Sequence, residues 1–156
     1  MIRRIMAGVL VALFVSTAVP AYAATGTARY KDLVTVTVNK TLTMKKIGCT
    51  NLPFSYKFAS ELEDSDWLVQ VVLVNKLGSI VDATNFSFLH FEANPALKGH
   101  SSLKACRNSW TDKNGLHAKA GTGTYKVVVL VQSFDSSSYQ YVREGVSNTV
   151  SVSIKG

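Results

Sequence analysis

The sequence has no Cys-x-x-Cys pair, no His-Glu-x-x-His and no Gly-x-Ser-x-Gly. It is also short of acid, with 10 Asp and Glu against 17 Lys and Arg. The first absence removes the usual redox dithiol. The second removes the helical zinc-protease site, and His90, His100 and His117 are too far apart in sequence for the tight spacing of most zinc sites. The third removes the strand-to-helix nucleophile elbow. Gly99-His100-Ser101-Ser102 sets a histidine beside two serines, but adjacency along the chain is not triad geometry. Beyond residue 24 no window of 11 or more residues repeats with helical periodicity, and neither an internal repeat nor a low-complexity tail occurs.

What is present begins with MIRRIMAGVLVALFVSTAVPAYAATG. Arg3 and Arg4 precede an apolar run from Ile5 to Val15, Pro20 breaks it, and Ala21-Tyr22-Ala23 fits the small-x-small rule of a signal peptidase site. The run is shorter than the about 20 apolar residues a spanning helix needs. Residues 1–23 are therefore expected to be a cleaved secretory signal peptide and residues 24–156 a single exported domain. No second apolar run of spanning length follows. The remaining 133 residues hold 15 Lys and Arg against the same 10 acids, a net charge of +5. Lys45-Lys46 is the only adjacent basic pair, whereas a nucleic-acid binder concentrates its cations. No nucleic-acid partner is expected. The modest charge serves solubility or a weak attraction to anionic cell-envelope polymers.

Cys49 and Cys106 are the two cysteines. An even pair in an exported protein reads as one disulfide. Closing so long a loop stabilises by about 4 kcal/mol in the chain-entropy model.

After residue 24 the dominant signal is period two. LVTVTV (33–38) alternates valine with threonine, and PFSYKF (53–58) sets Phe54, Tyr56 and Phe58 on one face. WLVQVVLV (67–74) and GTYKVVVLVQS (123–133) read as buried strands, SIVDA (79–83) and NFSFLHF (85–91) as two further ones, and NTVSVSI (148–154) alternates strictly. Residues 59–66 and 93–104 have room for a short turn of helix, and 23–32 reads as a loose N-terminus. The expectation is an all-β fold, an antiparallel β-sandwich of seven to eight strands with one disulfide.

The end of the chain resembles the closing strands of an immunoglobulin-like or fibronectin type III-like domain, a resemblance that covers about 90 residues loosely and about 30 well. GTGTYKVVVLVQS is similar to the penultimate strand F, SNTVSVSI to strand G, and Trp67 to the core tryptophan of strand C. The cysteines depart from the antibody pattern, because Val127 stands where a cysteine would follow the strand-F tyrosine. The resemblance therefore implies a bridge tying the start of strand B to the connection before strand F, not a pin through the core. Tyr125 is either a tyrosine corner or a plain core aromatic.

In that topology the B–C loop (60–66) and the F–G loop (132–145) share one end of the sandwich. The first carries four of the ten acids, in ELEDSD. Glu63, Asp64 and Asp66, joined by Asp135, could supply the oxygens calcium needs. The alternative is a solvated loop, or pairing with Lys57 or Arg143. The second loop, SFDSSSYQY, is rich in Tyr and Ser, a mixture common on recognition loops. Phe134, Asp135, Tyr139 and Tyr141 are its candidate ligand-binding residues, unless the segment is an irregular hairpin with aromatics packed down. The function expected is a non-enzymatic, extracellular binding module for a cell-surface protein, glycan or envelope polymer. The alternatives are a small extracytoplasmic enzyme or inhibitor, and an assembly subunit pairing through NTVSVSI. No resident cofactor is expected apart from the calcium candidate.

Overall fold

A computed structural model describes residues 24–63, 66–90, 92–112 and 115–156. The candidate signal segment and Asp64 lie outside the described residues. Among the described residues twelve strands run in chain order: β1 (Thr25–Tyr30), β2 (Val34–Asn39), β3 (Thr41–Thr43), β4 (Cys49–Phe58), β5 (Trp67–Val74), β6 (Ile80–Phe88), β7 (Lys98–Cys106), β8 (Trp110–Asp112), β9 (Gly115–His117), β10 (Gly123–Asp135), β11 (Gln140–Val146) and β12 (Val150–Lys155). One sheet has the order β1-β2-β4-β7. The other has β3-β12-β10-β5-β6, with β11 also on β10, and β8-β9 is a separate hairpin. The chain is an all-β sandwich, antiparallel except where β3 runs parallel to β12, and its orders β2-β4-β7 and β12-β10-β5-β6 match the A-B-E and G-F-C-C′ orders that the resemblance implies.

Period two explains the layers. Val34, Val36 and Val38 are buried between half-buried Thr35 and Thr37, and Val150, Val152 and Ile154 between exposed serines. Within the second sheet Val69, Val71 and Leu73 of β5 stand beside Val131, Val129 and Val127 of β10, all fully buried. Phe54, Tyr56 and Phe58 share one face as expected and pack on Phe86 at centroid distances of 4.6–6.4 Å. Trp67 is partly buried against this core. Tyr125 is a tyrosine corner: its hydroxyl donates to the Gly121 carbonyl at 3.1 Å and accepts from the Gly121 N–H at 2.8 Å.

Four local expectations change. Residues 25–30 are not loose but form β1, with Ala28 and Tyr30 buried. Residues 98–106 form a nine-residue strand, not a helical turn. The segments 79–83 and 85–91 contribute to one strand, β6, which slips register beside Leu73 and Val74. The loop 132–145 is mostly a hairpin of β10 and β11, bulged between Val131 and Gln132. The 59–66 segment does hold a short 3-10 turn, Ser60–Leu62, anchored by fully buried Leu62.

Cys49 and Cys106 are bridged. They face each other directly across β4 and β7. The bond staples two neighbouring strands of one sheet and does not cross between the sheets.

Side chains close both seams between the sheets. On one side Asn148 acts as a substitute strand for β1: its Oδ1 accepts from Arg29 N–H at 2.7 Å and its Nδ2 donates to the Thr27 carbonyl at 3.0 Å. The Tyr30 ring lies over Gly145, where a Cβ would stand 2.2 Å from it, and its hydroxyl donates to the Glu144 carbonyl. On the other side β6 reaches β7. The Asp82 carboxylate accepts from Lys104 N–H, and the Thr84 hydroxyl donates to the Ser102 carbonyl at 3.1 Å.

Candidate functional site: the aromatic hairpin and the acidic loop

Strand β10 pairs with β12 over residues 123–127, with β5 over 126–133 and with β11 over 130–135. The turn between β10 and β11 is set by Asp135. Its Oδ1 accepts from the Ser137 N–H at 2.9 Å and the Ser137 hydroxyl at 2.7 Å, and its Oδ2 from the Ser138 hydroxyl at 2.7 Å. Asp side chains favour such turns because they satisfy backbone donors two residues on. The serine hydroxyls stabilise the carboxylate and lower its pKa to about 2. Tyr139 ends the turn at φ 53°, a left-handed conformation uncommon outside glycine, and is 82% exposed. Phe134 lies edge-on to both Tyr139 and Tyr141, at 6.3 and 5.3 Å. The three rings form one aromatic group at the tip, with Phe134 half-buried and both tyrosines exposed.

The acidic loop meets this tip through backbone: Phe134 N–H donates to the Asp66 carbonyl at 2.7 Å. The two loops do share an end of the sandwich. Their carboxylates have separate partners. Asp66 accepts from the backbone N–H of His90 at 2.8 Å and faces the His90 Nδ1 at 2.8 and 2.9 Å. The backbone donor, then the ring, lowers the Asp66 pKa. Glu61 and Glu63 are exposed. Asp135 is turned into its own serine turn. Among the described residues no group of three or more His, Cys, Asp or Glu side chains is arranged to hold a metal ion.

A second polar cluster escapes sequence reasoning. His117 is buried, with Nε2 2.9 Å from Asp112 Oδ1 and Nδ1 3.5 Å from Asp82 Oδ1. Trp110 stacks on its ring at 3.9 Å and 10°, and the Lys104 ammonium sits 4.5 Å from the Trp110 centroid. Burial pushes the Asp82 pKa up, against the N–H groups of Lys104 and Ala83. The cluster pins the β8-β9 hairpin onto the β6–β7 seam. Its one trace in the sequence is Asp82 itself, an acid at an inward position of a strand.

Among the described residues no helix is long and apolar enough to cross a membrane. The sequence matches no protein-family model and shows no significant similarity to a curated protein.

Proposed function

We propose that the protein is an exported, non-enzymatic binding module that engages a cell-surface protein, glycan or envelope polymer through the β10–β11 tip. The observation that carries this reading is the aromatic trio. A core strand is extended past the start of its neighbour β5 to hold Tyr139 and Tyr141 in solvent over Phe134. Tyrosine on a rigid hairpin offers a large amphipathic contact at low entropic cost, and exposed aromatics dominate interface energetics. The Asp135 turn orders the tip before any ligand arrives, which lowers the ordering cost of binding.

The test is a binding comparison between the parent protein and Tyr139→Ser/Tyr141→Ser on glycan arrays, immobilised envelope polymers and cell-surface proteins. Binding should drop at least tenfold with an unchanged melting temperature, each lost hot-spot residue being worth about 1–2 kcal/mol. Equal binding by both proteins would end the reading. Edge-strand assembly is a second reading, shifted from the closing strand to β11. The outer edge of β12 carries β3 at residues 153–155, whereas β11 pairs only with β10 among the described strands.

A further inference from the structure

The outer face of the four-stranded sheet differs in chemistry from the hairpin end. Strands β1, β2, β4 and β7 contain no Asp or Glu at all, while they carry Arg29, Lys57, Lys98 and Lys104. Cations spread along the sequence become neighbours through pairing register. Arg29 faces Thr35, Thr35 faces Lys57, and Lys57 faces Lys98, so one row crosses all four strands. With strands about 4.8 Å apart, this row spans about 14 Å. Lys57 and Lys98 stand directly opposite, a like-charge pair that costs stability. Among the described residues no lysine or arginine is paired with a carboxylate. Two lysines held face to face, with no carboxylate at ion-pair distance, favour an anion between them.

Two grooves flank the row and share Lys57. One, of about 470 Å³, is lined by Arg29, Thr35 and Lys57 together with Asp32 and Glu61. The other, of about 530 Å³, has Phe58, Ala96 and Leu97 between Lys57 and Lys98. The site thus combines cations, hydroxyl and carboxylate acceptors, and an apolar floor. We propose that this end of the sheet binds an acidic polysaccharide. The ammonium groups and Arg29 take its anionic substituents, Asp32 and Glu61 accept hydrogen bonds from sugar hydroxyls, and the Ala96–Leu97 floor takes the apolar face of a ring. Duplex nucleic acid fits poorly, because one charge per about 1.7 Å of helix axis would be forced against Asp32 and Glu61. A membrane fits poorly too, since none of the large exposed apolar side chains lies on these four strands.

The disulfide-bonded protein is tested on immobilised polygalacturonate and heparin, on a short duplex DNA, and on phosphatidylglycerol vesicles. Lys57→Gln/Lys98→Gln should weaken polysaccharide binding about tenfold, two charged contacts being lost. Lys126→Gln/Arg143→Gln, which removes the same charge from the other sheet, should change it less than about twofold. Asp32→Asn/Glu61→Gln should weaken polysaccharide binding yet strengthen DNA binding, a crossover that bulk charge does not produce. If the lysine variant melts below the parent, Arg29→Gln replaces it, with an expected loss of about threefold. Equal losses from the two charge-matched variants, tighter binding to DNA or vesicles than to both polysaccharides, or no polysaccharide binding would each overturn the proposal.

Discussion

The two seams of the sandwich solve one problem with different chemistry. At the β1 seam a neutral, exposed amide, Asn148, pairs with the backbone of the last strand of one sheet. At the β7 seam a buried carboxylate, Asp82, does so, backed by His117, Asp112 and Trp110. An open sheet edge leaves backbone donors and acceptors without partners. Where water reaches the edge, those groups lose little when the side chain is removed. Where it does not, they lose the full desolvation cost. Equal geometry therefore carries unequal energy.

Asp82→Ala should be the most damaging change, costing about 3 kcal/mol in urea denaturation. It strands Lys104 N–H and one side of His117 inside the seam. A cost below that of the exposed seam would break the comparison. Asn148→Ala should cost about 1 kcal/mol by the same measurement, because solvent can replace its bonds to Arg29 and Thr27.

Acidity sharpens the contrast. Burial raises the Asp82 pKa, so between its unfolded value of 3.8 and the higher folded value the native state holds a proton the unfolded state has released. Its contribution to stability therefore falls as pH rises through that window. The stability of Asp82→Asn relative to the parent should improve over the same range, read from urea midpoints at pH 3.5 to 6. A difference that is flat or shrinks with pH would mean that hydrogen bonds outweigh burial at this seam. Asp135 has the opposite sign. Its carboxylate, lowered to about 2, stabilises the turn above pH 3.8, and this is lost as pH falls toward about 2. An NMR titration of its carboxyl carbon should show that midpoint, and Ser137→Ala/Ser138→Ala should raise it.

Much of the sandwich is legible because its strands bury alternate residues. LVTVTV, PFSYKF and NTVSVSI announce their inward faces, and the core strands WLVQVVLV and GTYKVVVLVQS announce their burial. Strand β7 is not legible. In KGHSSLKAC the inward positions include Gly99, Ser101 and Ala105, and only Leu103 is a large apolar residue among them. Gly99 is small because the Tyr56 ring occupies its space, with the hydroxyl 2.7 Å from where a Cβ would be. Strand β1 is hidden for another reason: it is completed by Asn148, more than a hundred residues away. The meeting of the two loops at one end was legible through the fold-level resemblance. The separate partners of Asp66 and Asp135 were not, because His90 takes the Asp66 oxygens while Ser137 and Ser138 take those of Asp135.

By itself the sequence determined the period-two layering, the all-β class, the pairing of the two cysteines and the presence of a tyrosine-rich segment between the last long strands. Those follow from local properties: side-chain alternation, residue type and an even cysteine count. Only the tertiary structure decided that Cys49 faces Cys106 within one sheet, that Asp82 and Asn148 close the seams, and that Arg29, Lys57 and Lys98 form a row. The reason is register. Which residues become neighbours across strands depends on pairings between segments tens of residues apart, and a slip of one residue would send each of those side chains to the opposite face.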